Sequence, residues 1–499
     1  MQKEQCRIIN QLGNTFEGDC LLIGYHILYK FANVLNHYSL VKRLTEKEYV
    51  VVYSDRLKLV PLLLEPSKTI IFEHENIRSF QTDKKIRYHF KNILKSILYN
   101  KKKTKYNLLN HFIGNKNVIA FSNDYVINRP YTENIKKWIR ITSPEEWLDS
   151  DISYSITSKT RKIFADISER YVNIAKRYMQ KYFGMNLPIS ISEALFNYTI
   201  CYLEHISQIY SALQKKVNSV RPKHLFTPTG GKTFIRALSL AVRNQNGKVT
   251  GFPHAYFICH SASPRPYMHE FATVNEFVAY TPGSVALMRR NVENYSPPRK
   301  NPIKFVHENS PFFLKTWNKF KDIPVPKKIK TIMVLELALF LEDTRFDIPD
   351  SMVNYHFYYK ICKTLSDNGY NVIFKRRPKD YNWEGINLFE NIPNIRILYE
   401  PFERPDIISM ADAIMVQYGL SSTLFWSMCT NKTIIYIDAG WEQWFPDVYE
   451  LMAKRCRILH CWYDERNRQC FDEDELLNIL EIPPKIPNTE FLEKYLFPE

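Results

Sequence analysis

Short apolar runs rich in β-branched residues alternate along the chain with longer segments of mixed polarity. Buried parallel strands have this continuous apolar character, because helices cover both faces of their sheet. The pattern therefore predicts an α/β protein built on parallel sheets. The runs lie at residues 49–53, 69–72, 117–121 and 139–141 in the first half of the chain and at 331–335, 371–374, 413–416 and 433–437 in the second half.

Residues 405–440 predict one complete helix–strand–turn–helix–strand unit of such a sheet. The segment between its strands has room for about two helical turns, which suits a right-handed parallel crossover. Its turn then lies at the carboxyl end of a strand, where open α/β sheets bind ligands. Unpaired helix amides and nearby hydroxyls suit a phosphate there, whereas a serine that only caps its helix explains the same sequence. The candidate anion-binding residues of this turn are Gly419, Ser421, Ser422 and Thr423.

A second polar turn directly follows the apolar run 371–374 and carries Lys375, Arg376 and Arg377. In a parallel sheet the carboxyl ends of the strands share one edge. Cations from one turn and hydroxyls from the other are therefore predicted to face the same ligand, most simply one that carries phosphate.

A third unit, residues 221–252, reads as strand, glycine-rich turn, helix and strand. Its turn is not a nucleotide P-loop, because Phe226 stands where that motif requires a glycine. Gly230 and Gly231 predict a close backbone approach, either to a substrate or to the neighbouring helix. The next strand ends just before His254, which is either a catalytic group at the sheet edge or a structural histidine.

The order of these elements predicts two α/β domains. The first covers residues 1–325 and contains a helical insertion at about 145–220, and the second covers residues 326–481. Residues 297–330, rich in proline and lysine, are interpreted as the linker. Residues 482–499 are interpreted as a tail that crosses back to the first domain.

The chain has 499 residues, of which 45% are hydrophobic, enough for two or three domains with full cores. Lysine and arginine exceed aspartate and glutamate by 68 − 52 = 16, so the surface attracts phosphates, nucleic acid or anionic lipid. A basic amphipathic stretch at residues 84–112 is either a surface helix or a site that docks on an anionic membrane. No zinc-finger, RNP-like or helix-turn-helix pattern is present, which argues against nucleic acid.

Nine cysteines without a CxxC pair indicate reduced thiols and a cytoplasmic protein. The late cluster of Cys456, His460, Cys461 and Cys470 lacks the spacing of a zinc site, so no metal is expected. Neither a signal peptide nor an apolar run near the ~18 residues of a membrane span is expected from the sequence.

Three segments of the sequence resemble bacterial surface-polysaccharide glycosyltransferases of the GT-B superfamily, including sialyl- and Kdo-transferase-like and CDP-glycerol glycerophosphotransferase-like enzymes. PKHLFTPTGGKTFIRALSLAVRNQNGKVTGFPHAYF is similar to the last unit of that family's N-terminal domain. NVIFKRRPKD is similar to its strand that ends in a basic turn, and ADAIMVQYGLSSTLFWSMCTNKTIIYIDAG is similar to its helix that begins with two serines.

The resemblance implies a GT-B-like fold, in which two Rossmann-like domains face a central cleft. It also implies metal-independent transfer of a sugar, with Kdo and sialic acid as the acidic candidates, from a nucleotide-activated donor to a cell-surface polysaccharide. No cofactor is implied. A lipid-linked acceptor would place the protein peripherally on the inner face of the cytoplasmic membrane. Glycerophosphate transfer from CDP-glycerol and a non-catalytic basic binding protein remain the alternatives.

The resemblance also implies roles for individual residues. Lys375, Arg376, Arg377 and the serine turn would bind the donor, and Gly230 with Gly231 would bind substrate. His254 would be the catalytic base, unless Glu336 or Glu342 from the acidic loop after residues 331–335 is the base and His254 contacts the donor.

Overall fold

Two parallel sheets organise the chain in a computed structural model of the protein. The structure describes residues 2–13, 15–25, parts of 27–39, 51–54, 69–72, 118–121, 129–142, 147, 156–253 except 229, 260–295 except 265, 302–336, 351–376, and 387–498 except 401, 403, 418, 420 and 465–467. Its contacts divide the chain into two compact units. The first, the N-terminal unit, comprises residues 1–252, 267–277 and 295–304, and the second, the C-terminal unit, comprises 253–266, 278–294 and 305–499.

Residues 51–307 contribute a two-stranded parallel pair and a six-stranded sheet of order β4-β3-β5-β6-β7-β8. The pairings from β4 through β7 are parallel. The strands are β1 (Val51–Ser54), β2 (Thr69–Phe72), β3 (Val118–Phe121), β4 (Arg140–Thr142), β5 (His224–Thr227), β6 (Lys248–Gly251), β7 (Glu276–Ala279) and β8 (Lys304–His307). The helices are α1 (Gln2–Leu12), α2 (Phe16–Ile23), α3 (Ser158–Phe183), α4 (Ile189–Val220), α5 (Thr233–Asn244), α6 (Pro282–Tyr295) and α7 (Phe312–Phe320), with a 3₁₀ helix at Pro130–Trp138 and a π-helix at Tyr267–Phe271.

The helical insertion consists of the two long helices α3 and α4, which pack on each other. The side chain of Thr157 caps α3 by accepting a hydrogen bond from the amide of Thr160 at 3.1 Å. Gly184 ends the helix with φ +65°, a left-handed conformation that glycine adopts without strain. Residues at helical spacing, Phe164, Tyr171 and Ala175 among them, form its fully buried face.

The second half of the chain forms a seven-stranded sheet of order β11-β10-β9-β12-β13-β14-β15. Its strands are β9 (Thr331–Leu335), β10 (Asn371–Lys375), β11 (Ile395–Leu398), β12 (Ala413–Val416), β13 (Thr433–Asp438), β14 (Arg457–Tyr463) and β15 (Gln469–Phe471). Its helices are α8 (Ser351–Asp367), α9 (Asn387–Glu390), α10 (Pro405–Ser409), α11 (Ser422–Met428), α12 (Pro446–Arg455), α13 (Glu473–Glu481) and α14 (Glu490–Tyr495). Every pairing is parallel except that of β15 with β14.

This sheet has the strand order of a Rossmann fold. In chain order β11-β10-β9-β12-β13-β14 reads 3-2-1-4-5-6, with β15 added at the edge. One face packs on α8, whose Tyr358, Ile361 and Leu365 are fully buried against β9 and β10. The predicted α/β class, with two Rossmann-like sheets and a helical insertion, is confirmed.

Residues 297–330, interpreted from sequence as a linker, contain regular structure in their described part. Strand β8 and helix α7 lie within this stretch. The linker interpretation used only the proline and lysine content of the stretch. It does not fit the structure, because Phe313 and Phe320 of α7 are buried. A linker would leave such residues exposed.

The C-terminal tail packs within the C-terminal unit. The ring of Phe491 in α14 stacks on Phe425 at a centroid distance of 6.1 Å. The carbonyl of Tyr495 accepts a 2.7 Å hydrogen bond from Thr281, just before α6. No helix within the described part of the chain is long and apolar enough to cross a membrane.

Candidate functional site

Polar residues end four neighbouring strands of the C-terminal sheet at one edge, which we call the carboxyl edge. Glu336 follows β9, Arg376 follows β10, Gln417 follows β12, and Asp438 is the last residue of β13. The strands are added in one direction from β9 to β11 and in the other direction from β12 onward, so the boundary between β9 and β12 is the topological switch point at which Rossmann-like sheets bind ligands. Among the residues predicted from sequence to bind the donor, Lys375 and Arg376 therefore lie at this edge, and Gly419 and residues 421–423 follow β12 there.

Arg376 and Glu336 form a buried ion pair at the carboxyl edge. The Nε and Nη2 atoms of the guanidinium lie 3.2 and 3.4 Å from the two carboxylate oxygens. The side chains are only 9% and 3% exposed. The guanidinium also lies over the ring of Tyr399, 5.5 Å from its centroid. A predicted donor-binding cation and a predicted base thus contact each other, which fixes the orientation of both.

Lys375 is buried as well, and its Nζ donates to the carbonyl of Arg376. Gln417, 3% exposed, donates through Nε2 to Gln469 at 2.9 Å. Its Oε1 has no hydrogen-bond partner among the described residues. Buried acceptors are normally bonded, so this oxygen at the switch point is suited to a ligand donor.

Ser421 is the N-cap of α11. Its Oγ accepts a hydrogen bond from the amide of Thr423 at 3.2 Å, and its backbone is extended, with φ −92° and ψ 132°. Ser422 and Thr423 begin the helix, and all three residues are partly exposed. The capping role anticipated from sequence is present. Binding of an anion by the same turn stays a prediction.

Gly419 permits a close approach of the loop that follows β13. A Cβ atom at this position would lie 2.3 Å from Oε2 of Glu442 and 2.6 Å from the Trp444 ring. Real Cβ atoms do not come this near to other atoms, so any other residue at position 419 would displace the Glu442 carboxylate and the Trp444 indole. Glu442 therefore lies beside a predicted donor-binding residue, and the sequence analysis did not identify it.

His260 contacts Glu442 and completes this buried cluster. Its Nε2 lies 3.2 Å from Oε2 of the glutamate, and the side chains are 0% and 5% exposed. The imidazole packs on the ring of Trp444 at a centroid distance of 4.1 Å. The amide of Phe445 bonds to the carbonyl of His260 at 3.0 Å. No local sequence signal identifies a pair whose members are 182 residues apart.

The N-terminal unit contains a second glycine turn, after β5. The amide of Gly230 donates to Oε2 of Glu270 at 3.2 Å, and its carbonyl accepts from Arg236. A Cβ atom at Gly230 would lie 2.0 Å from the carbonyl oxygen of His269. Approach to a neighbouring helix, one of the two alternatives left open by sequence, thus accounts for Gly230. Contact of Gly230 or the half-buried Gly231 with substrate stays a prediction.

A second histidine–glutamate pair lies on the π-helix packed against this turn. Nδ1 of His269 is 2.7 Å from Oε1 of Glu270. The histidine side chain is 20% exposed and the glutamate is fully buried. The Tyr25 ring and the imidazole are nearly perpendicular, at a centroid distance of 6.0 Å. Sequence reasoning missed this pair, and the adjacent His and Glu were the only local signal for it.

A third charged cluster lies at the opposite, amino edge of the N-terminal sheet. Glu276 begins β7, and its carboxylate accepts from Tyr131, from Lys248 at 2.7 Å and, at 3.4 Å, from Lys304. Burial raises the pKa of Glu276, but the hydrogen bonds from Lys248 and Tyr131 outweigh burial and leave the pKa lowered. A cavity of about 370 Å³ opens beside these residues. We assign the cluster to stability, because its carboxylate is fully bonded within the protein.

Three predicted site residues, His254, Glu342 and Arg377, lie outside the described residues. Among residues whose placement the structure describes, no group of three His, Cys, Asp or Glu side chains could hold a metal ion. In the late cluster, His460 and Cys461 are neighbours on β14 and therefore point to opposite faces of the sheet.

No protein-family model matches the chain, and no curated protein matches it. Solved structures do match, among them a UDP-GlcNAc 2-epimerase from Neisseria meningitidis determined with bound UDP-GlcNAc. The two sequences are 12% identical, over 64% of this chain and 81% of that chain, with a TM-score of 0.29. Because a likeness at this level carries no functional argument, the function has to be argued from the residues of the site.

Proposed function

We propose that the protein is a metal-independent glycosyltransferase that moves a sugar from a nucleotide-activated donor to a glycan acceptor. One observation carries the proposal. The 3-2-1-4-5-6 strand order brings Glu336, Arg376 and Gln417 together at the switch point of the C-terminal sheet. Rossmann-like sheets bind nucleotides at this point, outside the carboxyl ends of the strands.

The donor phosphate binds between the basic turn after β10 and the serine turn before α11. Lys375 and Arg376 are the cations of this turn, the second of them paired with Glu336, and Arg377 is a predicted third. Hydroxyls of Ser421 and Ser422 add donors at the start of α11, where the helix dipole is positive. Fixed positive groups stabilise the charge that develops on the phosphate as the glycosidic bond breaks. They supply the stabilisation that a metal ion gives in other enzymes.

The chemical step requires removal of the acceptor proton, attack of its oxygen on the anomeric carbon and departure of the nucleotide. His254, Glu336 and Glu342 are the bases that the sequence offers. The ion pair with Arg376 favours an orienting role for Glu336 over proton transfer, because both carboxylate oxygens are bonded to the guanidinium.

The net charge of +16 favours an acidic donor such as activated sialic acid or Kdo and a negatively charged acceptor surface. Synthesis of a capsule or lipopolysaccharide fits these substrates. We extend the proposal to peripheral attachment at the inner face of the cytoplasmic membrane, through the basic stretch at residues 84–112. Co-sedimentation with vesicles should then require anionic lipid and weaken as salt is raised. Binding that ignores lipid charge would contradict the extension.

The function is tested by thermal shift and nucleotide release. Binding to the native state alone stabilises a protein by about 2.7 kcal/mol at a ligand concentration one hundred times Kd. We expect one of CMP, CDP, UDP and dTDP to raise the melting temperature. The matching nucleotide sugars should release nucleotide faster when saccharide acceptors are present.

The outcomes separate the alternatives. Stabilisation by CDP together with release of CMP from CDP-glycerol would replace sugar transfer by glycerophosphate transfer. Stabilisation by none of the nucleotides, with no nucleotide release, would contradict the proposal and favour a binding protein without chemistry.

A further inference from the structure

We propose that the closed end of the helical hairpin formed by α3 and α4 is a docking surface for an anionic lipid bilayer. We call this surface, residues 176–190, the hairpin tip. It includes the last turns of α3, the connection at residues 184–188 and the first residues of α4. The hairpin tip lies wholly within the N-terminal unit and is a different segment from the basic stretch at residues 84–112.

The apolar stripe of α3 continues beyond the part of the helix that is buried. Phe164, Tyr171 and Ala175 are fully buried at helical spacing. The next two positions at the same spacing are also apolar, but Tyr178 is only half-buried and Tyr182 is 60% exposed. The stripe therefore extends apolar surface into solvent at the end of the helix.

Aromatic and aliphatic side chains lie together at the hairpin tip. The Tyr178 ring lies 4.8 Å from the Tyr182 ring and 5.9 Å from the Phe183 ring, measured between centroids. Ile189, the first residue of α4, is 78% exposed, and Met185 in the connection is partly exposed. Single exposed apolar residues are ordinary on a protein surface, whereas several that lie together mark a site of interaction.

The charge of the hairpin tip is positive. Residues 170–192 contain four basic residues and no acidic one. The basic residues are Arg170, Lys176, Arg177 and Lys181. The ammonium of Lys181 lies over the Tyr182 ring, 5.1 Å from its centroid, so positive charge and apolar surface are directly adjacent.

Helix α1 adds one carboxylate without cancelling this charge. Glu4 lies 3.5 Å from a guanidinium nitrogen of Arg177, whose side chain is 70% exposed. The same carboxylate is also paired with Arg7 at 2.9 Å. Because Arg7 balances Glu4, the surface retains its excess of positive charge.

This composition matches the layers of an anionic membrane surface. Tyrosine rings are typical of the headgroup level, because one end of the ring is apolar and the other is polar. Apolar side chains such as Ile189 enter the boundary of the acyl chains, and lysines beside them attract anionic headgroups.

The size of the surface favours a bilayer over a protein partner. Two adjacent helices, each about 10 Å across, present an end of only about 200 Å². Stable protein–protein interfaces bury about 800 Å² on each partner. A bilayer sets no such minimum, because a few inserted side chains and nearby charges are enough for reversible attachment.

Co-sedimentation of the full chain with vesicles tests the inference. The vesicles are phosphatidylcholine alone or phosphatidylcholine mixed with phosphatidylglycerol. We expect wild-type protein to bind the mixed vesicles, and Tyr182→Ser combined with Ile189→Ser to lower its partition coefficient by roughly tenfold or more, because less apolar surface is removed from water. Ile486→Ser is the matched control, since Ile486 is 88% exposed but lies in the C-terminal unit.

A second pair of substitutions tests the charge. Lys176→Gln combined with Lys181→Gln should lower binding to the mixed vesicles by roughly 25-fold at low salt, because each lysine near an anionic surface contributes about fivefold. The control, Lys327→Gln with Lys328→Gln, removes the same charge from exposed positions of the C-terminal unit and should have a much smaller effect. All these side chains are exposed, so melting temperatures should stay close to that of the wild-type protein.

Three results would overturn the inference. The first is wild-type partitioning of both hairpin-tip variants, and loss of binding only in Lys101→Gln with Lys102→Gln would then assign attachment to residues 84–112. The second is a change in self-association with unchanged vesicle binding, which would make the tip an interface between copies of the chain. The third is absence of vesicle binding by the wild-type protein. Nucleotide release is measured separately, so the proposed transferase function stands or fails independently of these results.

Discussion

The Nε2 atom of His260 lies 3.2 Å from Oε2 of Glu442, beside the backbone of Gly419. The histidine precedes the glutamate by 182 residues in the sequence, but its segment belongs to the C-terminal unit as well. Ser261 pairs with Trp444 in an antiparallel bridge, and Asn291 of α6 bonds at 3.0 Å to the carbonyl of Ser261. A segment that lies far away in sequence is thus packed against the loop that lies beside the predicted donor-binding Gly419.

We predict that His260→Leu destabilises the protein by about 1–3 kcal/mol, because it leaves the buried carboxylate of Glu442 without this partner. Urea unfolding measures the change. Glu442→Gln keeps an acceptor for the imidazole and should cost less. A larger loss of stability in Glu442→Gln than in His260→Leu would contradict the prediction, because it would mean that the glutamate is stabilised mainly by a group other than His260.

We predict that Ser421→Ala combined with Ser422→Ala weakens nucleotide binding and leaves the fold intact. Loss of one helix cap costs about 1 kcal/mol, so the melting temperature should fall only slightly. Nucleotide titration by calorimetry measures the affinity. Thr157→Ala is the matched control, since it removes the cap of α3 in the N-terminal unit and should leave affinity unchanged. Equal affinity in wild-type and double variant would exclude this turn from the donor site.

We predict that Glu336→Ala destabilises the protein by about 3–5 kcal/mol, because it leaves the buried guanidinium of Arg376 without its counter-ion. The comparison is Asp367→Ala, which breaks an exposed pair with Lys363 and should change stability little. Chemical denaturation of both variants measures the difference. Similar stability of the two variants would mean that Arg376 is accessible to solvent or has another counter-ion.

We predict that His224 makes the protein less stable as pH falls. Burial, followed by the charge of Lys248, lowers the pKa of His224 to about 4 from its ordinary value of 6.5. Between these values the unfolded chain binds a proton that the folded protein does not, so unfolding becomes more favourable as pH decreases. The urea midpoint should therefore drop between pH 7 and pH 5, and less in His224→Gln, which cannot titrate.

Stability measurements above pH 5 separate the contribution of His224 from that of Glu276. The pKa of that carboxyl is lowered in the folded protein, so its contribution is present above 4.5 and is lost only as pH falls further. An identical pH dependence in wild-type and His224→Gln would contradict the prediction for His224.

The sequence by itself determined the secondary structure around the C-terminal site. The apolar runs predicted at residues 331–335 and 413–416 are strands β9 and β12, and Ser421 caps α11 as its position before the helix indicated. These features depend on interactions between near neighbours: side-chain periodicity, continuous apolar character and the hydrogen bond of a cap. The predicted phosphate site needed only this local information and the rule that parallel strands share a carboxyl edge.

The tertiary structure alone decided which side chains meet. Arg376 and Glu336 are 40 residues apart, and His260 and Glu442 are 182 residues apart, so their contacts depend on strand order and on loops that return to the sheet. The sequence left the role of Gly230 undecided for the same reason. Only the tertiary structure shows that the π-helix packs where a side chain at this position would lie. Even His269 and Glu270, adjacent in sequence, form an oriented pair because the amide of Gly230 holds the second carboxylate oxygen. The spacing of apolar residues indicates which face of a helix or strand is buried. It does not indicate which distant polar side chain will pair with a buried charged one.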